Sequence, residues 1–150
     1  MHNAMSSSET RATQAVQLAN RYLALWNEPD ADQRRRMIGE LWAQSGSQIL
    51  QPPMEMREIA ASPGLGLAAT LEARGHAELE ARVTASYEHW VASEGLKFRG
   101  GEDAERLGEV VKFRWEAVAQ DGGDVMAVGL NVLVLAADGR IDRDYTFVEN

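Results

Sequence analysis

Apolar residues recur with a helical period in the first half of the chain and with a strand period in the second half. From Ala12 to Trp26 they repeat at helical spacing, which predicts a helix. Asp30 then caps a second helix that we expect to end at Gly46, and Ala77 to Val91 predicts a third helix. Helices followed by strands are typical of an α+β domain, here a curved antiparallel sheet wrapped around about three N-terminal helices.

Strands are predicted for five segments, which are 48–51, 96–99, 110–118, 129–136 and 140–147. The last two are joined by Asp138-Gly139, a dipeptide typical of hairpin turns. Residues 54–69, in contrast, contain Pro63, Gly64 and Gly66 and show no clean period. We expect this stretch to form a long loop over an opening, because such loops in compact domains often bind ligands.

One polar residue lies inside the predicted strand 129–136, which is otherwise apolar on both faces. This residue is Asn131. A strand that is apolar on both faces packs against a helix on one side and closes over a core or a cavity on the other. Because a buried amide needs a hydrogen-bond partner, Asn131 indicates where a pocket lies, with protein, water or ligand as the partner.

Length and composition favour one domain without a nucleic-acid or membrane partner. We assign a disordered tail to residues 1–10 and a single domain to residues 11–150. The absence of cysteine excludes disulfides and thiolate nucleophiles, and the net charge of -8 argues against nucleic-acid or anionic-membrane surfaces. There is no apolar run of membrane-spanning length and no pattern typical of a secretory signal, so we expect a cytoplasmic protein.

Several local patterns resemble those of the nuclear transport factor 2-like superfamily, which includes the SnoaL-like cyclases and ketosteroid isomerase. The resemblance covers about residues 12 to 148. The matching segments are Arg21-Tyr22-Leu23-Ala24-Leu25-Trp26-Asn27 with Asp30, Gln51-Pro52, Gly75, Phe113-Arg114-Trp115, Gly129-Leu130-Asn131 and Ala137-Asp138-Gly139-Arg140-Ile141. The resemblance implies a cone-shaped, cystatin-like roll and commonly a homodimer through the outer face of the sheet.

The resemblance also implies a set of site residues, two of which differ from those of the isomerases. Tyr22 matches the family's tyrosine, Gln51 falls where the catalytic base is expected, and Asn131 falls where a protonated acid is expected. An amide at position 131 still donates a hydrogen bond to a carbonyl or oxyanion. A neutral amide at position 51 does not accept a proton, so we expect no isomerase reaction by that mechanism.

His76 is the remaining candidate for a catalytic base, because it follows Gly75 at the start of a helix. Gln51, Trp42, Trp115, Tyr145 and Met54 are candidates for ligand binding. Each candidate has a plainer interpretation: tyrosine and tryptophan are common in cores, and a histidine at a helix start is commonly a surface residue.

The direction of the Arg143 side chain is a separate question. Arg143 shares strand parity with Ile141, Tyr145 and Phe147, so it would point to the same face of the sheet as these apolar residues. An inward Arg143 would need a carboxylate or an anionic ligand, whereas a position at the rim would let it reach water. A single bulge would reverse this parity.

The function expected from these features is the binding of a small apolar, oxygenated molecule in a conical pocket. If turnover occurs, cofactor-independent isomerase, cyclase or lyase chemistry is the expected class. The alternative is a non-catalytic ligand carrier or a dimerisation and interaction module, which the loss of an acid at Gln51 favours. No trio of His, Asp and Glu has metal-site spacing, so we expect neither metal nor cofactor.

Overall fold

A computed structural model describes residues 4–51 and 71–149, with side chains described from residue 10 onward. Its helices are α1 (Ala4–Asn27), α2 (Ala31–Leu41) and α3 (Gly75–Ser86), and α3 continues as a π-helical segment, Tyr87–Ser93. Its strands are β1 (Trp42–Gln51), β2 (Leu71–Arg74), β3 (Leu96–Gly100), β4 (Glu105–Leu107), β5 (Val110–Ala119), β6 (Val125–Leu135) and β7 (Ile141–Glu149).

The strands form one curved, unclosed sheet with the order β2-β1-β7-β6-β5-β3, and β4 pairs with β5. The predicted α+β class and the curved sheet around the helices are thereby confirmed. The predicted antiparallel arrangement is wrong for one pair, because β1 and β7 run parallel. Parallel neighbours need a long crossover, and here the whole chain between β1 and β7 provides it.

The first two helices differ from their predicted bounds. Helix α1 begins at Ala4 rather than Ala12, so the predicted tail is helical from Ala4, and residues 1–3 lie outside the described residues. Asp30 caps α2 as predicted, because its carboxylate accepts hydrogen bonds from the backbone N–H groups of Asp32 at 2.8 Å and Gln33 at 3.1 Å.

Gly46 does not end α2, because the helix stops at Leu41 and β1 already begins at Trp42. A side chain at position 46 would lie 2.8 Å from the carbonyl oxygen of Ile141. The glycine therefore permits the close approach of β1 to β7, in the irregular part of their pairing between Trp42 and Ser47.

The core lies between the helices and the concave face of the sheet. Its largest fully buried apolar side chains come from both layers: Trp42, Phe113, Leu25, Ile38, Leu41 and Leu79. The ring of Tyr22 contacts Phe113 edge to face, with the ring centroids 5.4 Å apart. Aromatic packing of this kind fixes the position of the Tyr22 ring between α1 and the sheet.

Candidate functional site

A cavity of about 310 Å³ opens between α1, α3 and the concave face of the sheet. Most of its wall is apolar and aromatic, with contributions from Leu23, Trp26, Leu50, Trp90, Phe98 and Trp115. Its polar lining consists of Tyr22, Gln48, Arg82, Ser86, Asn131 and Thr146. An apolar pocket with a few convergent polar groups is the usual form of a small-molecule site.

An irregularity in β7 decides which of its residues face the cavity side. Leu135 pairs with Ile141 and Val134 pairs with Arg143, so Asp142 is an extra residue in this ladder. The extra residue reverses the alternation of side chains. Asp144 and Thr146 are consequently buried on the concave side, whereas Arg143 is exposed on the outer side.

Asp144 lies behind the polar lining and accepts hydrogen bonds from four side chains. Its Oδ2 accepts from the Tyr22 hydroxyl at 2.5 Å and from Gln48 Nε2 at 3.3 Å. Its Oδ1 accepts from Asn131 Nδ2 at 2.7 Å and from the Thr146 hydroxyl at 3.0 Å. A carboxylate surrounded only by donors is arranged for the ionised form.

Two obligatory donors determine the orientation of the amides that face Asp144. Trp115 Nε1 donates to Asn131 Oδ1 at 2.7 Å, and Arg82 Nη1 donates to Gln48 Oε1 at 3.1 Å. An indole and a guanidinium only donate, so each amide must turn its oxygen towards them. The NH₂ groups of Asn131 and Gln48 therefore face the carboxylate.

The pKa values of the two central ionisable groups are both raised. Burial is the largest cause of the rise in the pKa of Asp144 to about 6, and the hydrogen bonds from Tyr22, Thr146, Asn131 and Gln48 oppose it. Burial also raises the pKa of the Tyr22 phenol, with the charge of Asp144 as the second cause. Tyr22 consequently stays protonated, while Asp144 changes its protonation near physiological pH.

Asn131 and Gln48 each have more acceptor oxygens within hydrogen-bond distance than they have amide hydrogens to donate. Asn131 Nδ2 lies within 2.7–2.8 Å of oxygens on Tyr22, Asp144 and Thr146. Gln48 Nε2 lies within 3.0–3.3 Å of oxygens on the same three residues. Each amide nitrogen carries only two hydrogens. Some lone pairs on the hydroxyl oxygens are thus free to accept a hydrogen or a proton from a ligand.

Three of the predicted site residues, Tyr22, Asn131 and Trp115, line the cavity together. The Asn131 amide nitrogen is 2.8 Å from the Tyr22 oxygen. Asn131 is fully buried, and it contacts both Tyr22 and Trp115. The structure thereby brings together the tyrosine and the amide that the sequence singled out.

Gln51, Trp42 and Tyr145 do not line this cavity. Gln51 lies at the end of β1 beside Phe147, and Gln48 provides the amide of the polar lining instead. Trp42 is fully buried in the core and packs against Tyr22, with the ring centroids 5.7 Å apart. Tyr145 faces away from the site because of the extra residue in β7, and its hydroxyl accepts a hydrogen bond from Arg143 at 3.3 Å.

His76 and Met54 complete the set of predicted residues. His76 Nε2 is 3.0 Å from the carbonyl oxygen of Trp42 and 3.1 Å from that of Ala43, so this nitrogen carries the proton and donates to the backbone of β1. His76 thus joins the start of α3 to the sheet, and it is not part of the cavity lining. Met54 lies outside the described residues.

Sequence reasoning missed Asp144, Gln48, Thr146 and Arg82. Asp144 has the opposite strand parity to Ile141, Tyr145 and Phe147, and only the extra residue at position 142 turns it inward. Gln48 is three residues before the glutamine that was expected, because β1 starts six residues earlier than predicted. The spacing of Asp144 and Thr146, two residues apart, was the one available signal in the sequence, since such residues share a strand face.

Across residues 10–51 and 71–149, no group of three His, Asp or Glu side chains is placed to hold a metal ion. In the same ranges, no helix has the length and apolar character needed to cross a membrane.

Comparison with solved structures identifies the class of fold. A member of the SnoaL-like family from Agrobacterium tumefaciens is 26% identical, with a TM-score of 0.72, and the match covers 92% of this chain and 99% of that chain. A SnoaL-like protein of unknown function from Burkholderia thailandensis is 17% identical, with a TM-score of 0.60, and the match covers 91% of this chain and 95% of that chain.

Two further structures agree with this class. A nuclear transport factor 2-like protein with a cystatin-like fold from Novosphingobium aromaticivorans is 16% identical, with a TM-score of 0.57 and coverage of 100% and 92%. A protein from Sinorhizobium meliloti with the provisional name polyketide cyclase is 13% identical, with a TM-score of 0.56 and coverage of 90% and 97%. The structural matches support the nuclear transport factor 2-like superfamily, as the sequence resemblance predicted. No protein-family model and no curated protein matches the chain.

Proposed function

We propose that the protein binds a small apolar molecule bearing a carbonyl or hydroxyl group and catalyses its isomerisation, cyclisation or elimination without a cofactor. The observation that carries this proposal is the junction of an aromatic cavity with a polar network built on Asp144, whose pKa is raised to about 6. A carboxylate with a pKa near the working pH is suited to general acid–base catalysis. Two structural neighbours carry the provisional names isomerase and polyketide cyclase, which agrees with this class.

Proton transfer would reach Asp144 through Tyr22, since Tyr22 lines the cavity and Asp144 does not. In the proposed step, a C–H bond beside the ligand carbonyl breaks, and its proton passes to the Tyr22 oxygen. The hydroxyl proton of Tyr22 moves at the same time to Asp144 Oδ2, to which it is already hydrogen bonded. The electron pair of the broken bond remains on the ligand as an enolate, and return of the proton to another carbon completes an isomerisation.

Asn131 would stabilise the enolate oxygen when that oxygen takes the place of the Tyr22 or Thr146 oxygen as an acceptor of its amide hydrogens. It lines the cavity, and its amide orientation is fixed by Trp115. An oriented amide donates a hydrogen bond without changing its own protonation state, so it needs no raised pKa. This role matches the one expected for position 131 from the sequence, whereas the base is Asp144 acting through Tyr22 rather than His76.

A ligand carrier is the second candidate, and one observation favours it. Asp144 is fully buried and already accepts four hydrogen bonds, so a ligand touches only neutral groups at the inner end of the cavity. A neutral lining orients an oxygenated molecule without reacting with it. The carrier and the enzyme share the same cavity and differ only in proton transfer.

We also propose that the chain forms a homodimer through an outer apolar patch of the sheet. We define this patch by five residues that face away from the site: Leu130, Val132, Val134, Tyr145 and Phe147. They lie on adjacent strands, with Leu130 opposite Phe147 and Val132 opposite Tyr145. Phe147 is 37% exposed although it is aromatic. A contiguous apolar sheet face of this kind is typical of protein interfaces.

Deuterium exchange distinguishes the two functions. The protein is incubated in D₂O with bicyclic aromatic ketones that have enolisable methyl groups, and binding is measured in parallel by calorimetry. Catalysed deuterium incorporation that is lost in Tyr22→Phe supports the enzyme. Binding without exchange supports the carrier, and the absence of binding by both the ketones and the corresponding aromatic acids contradicts both functions.

A further inference from the structure

Arg82 on α3 is the charged residue among the described residues that line the cavity. Its Nη1 donates to Gln48 Oε1 at 3.1 Å, to Leu71 O at 3.3 Å and to Gln48 O at 3.5 Å. All three acceptors are neutral oxygens. They hold one end of the guanidinium in place, and they leave its positive charge without a compensating negative charge.

The other arginines whose ion pairs are described each pair with a carboxylate. Arg35 contacts Glu80 at 3.0 Å, and Arg99 contacts Glu116 at 3.1 Å. Arg82 is more buried than these, yet none of the carboxylates in residues 10–51 and 71–149 lies within salt-bridge distance of it. Burial also lowers the pKa of Arg82, with Tyr22, Asp144 and Glu78 opposing the change. A partly buried cation without a counter-charge is costly, and an anionic ligand would remove that cost.

Asp144 does not provide the counter-charge directly, because Gln48 lies between the two groups. The Gln48 oxygen accepts from Arg82, and the Gln48 nitrogen donates to Asp144. The four donors around Asp144 already satisfy its oxygens. The cavity therefore presents a cation at one part of its lining and a proton-accepting network, centred on Tyr22, at another.

From this arrangement we infer that the ligand is an apolar organic acid whose carboxylate pairs with Arg82. The Nη2 and Nε groups of Arg82 make no hydrogen bond with any residue in the described parts of the chain. These donors belong to a planar fork whose geometry matches a carboxylate. The aromatic walls accommodate the apolar body of the acid, and its reacting carbon would lie towards Tyr22. The inference rests on the proposed function, since it names the substrate class of the same cavity.

Matched pairs of acids and neutral ketones test this inference. Binding of naphthoate and of acetonaphthone, and of the corresponding tricyclic pair, is measured by calorimetry with wild-type protein and with Arg82→Met and Arg82→Lys. Arg99→Met serves as the control, because Arg99 is an exposed arginine outside the cavity lining. Circular dichroism checks the fold of each variant.

We expect wild-type protein to bind the acids roughly 10- to 100-fold more tightly than the ketones, as charge-assisted hydrogen bonds allow. This preference should weaken in high salt, disappear in Arg82→Met, persist in part in Arg82→Lys and remain in Arg99→Met. Equal binding of acids and ketones by the wild-type protein overturns the inference and leaves the proposed function standing. That comparison needs no variant, so a misfolded Arg82→Met does not affect it. Binding of neither class overturns the proposed function and the inference together.

Discussion

Trp115 determines which way the amide of Asn131 faces, because its indole N–H donates to Asn131 Oδ1 at 2.7 Å. The two residues lie on adjacent strands, and Trp115 stands opposite Gly129 rather than opposite Asn131. The indole therefore reaches along β6 by two residues. This one contact links the aromatic wall of the cavity to the polar network around Asp144.

Trp115→Phe should keep the aromatic wall and release the Asn131 amide. Loss of the indole donor leaves a buried amide oxygen unpaired, which costs roughly 1–3 kcal/mol in the free energy of unfolding. The amide is then free to rotate, so catalysed deuterium exchange should fall more than ligand affinity does. Urea unfolding and exchange kinetics check both effects. Unchanged exchange in a folded Trp115→Phe would show that the orientation of Asn131 is unimportant.

Gly129→Ala should displace the Trp115 indole. A methyl group at position 129 would lie 2.1 Å from the indole ring, so ring and methyl group cannot keep their places. Overpacking of this kind costs roughly 1–3 kcal/mol, and the displaced ring would lose its contact with Asn131.

Gly39→Ala is the matched control for this substitution. Gly39 lies in α2, with no atom within 4 Å of the added methyl group. The control should raise the free energy of unfolding by about 0.5–1 kcal/mol, because alanine is the better helix former. If Gly129→Ala unfolds at the same urea concentration as the wild type, Gly129 and Trp115 do not approach each other this closely.

Asp144 should make the free energy of unfolding depend on pH. Burial raises its pKa to about 6 in the folded protein, whereas the unfolded chain keeps the ordinary value near 4. Between these values the folded state binds more protons than the unfolded state, so stability falls as pH rises. The stabilising contribution is complete below about pH 4 and is lost as pH rises through about 6, a change on the order of 3 kcal/mol.

Urea unfolding of the wild type and of Asp144→Asn across this pH range isolates the effect. Other carboxylates titrate in both proteins, so the difference between the two curves reports Asp144. We expect the wild type to lose stability relative to the variant as pH rises from about 4 to about 7. A flat difference would show that Asp144 is not a buried, raised-pKa carboxylate.

Phe147→Glu should weaken the proposed homodimer. The substitution adds a charge to the outer apolar patch without touching the cavity, because Phe147 faces away from Thr146 on the same strand. Sedimentation velocity should show a dimer for the wild type and a larger monomer fraction for the variant. Leu107→Glu is the control, since Leu107 is 84% exposed on β4, outside the patch. A wild-type monomer at all concentrations contradicts the proposed dimer.

The sequence predicted the fold class and three of the residues that line the cavity, Tyr22, Asn131 and Trp115, for identifiable physical reasons. Hydrophobic period located α1, α3 and the strands of the final hairpin, and a polar residue in an apolar strand identified Asn131. The side of the sheet to which each β7 side chain points was not predictable, because no pattern in the sequence around Asp142 marks it as an extra residue. The parallel pairing of β1 with β7 is a long-range property, and it is what brings Gln48 opposite Asp144.

The pH profile of deuterium exchange tests the central claim, that Tyr22 passes protons between the ligand and Asp144. With a cavity-binding ketone, wild-type exchange should rise through an apparent pKa of about 6 and then reach a plateau, as Asp144 ionises. Asp144→Asn, checked for folding and for ketone binding, should lose the rise and most of the exchange. An exchange rate that is independent of pH in this range, or that survives in Asp144→Asn, would contradict the account.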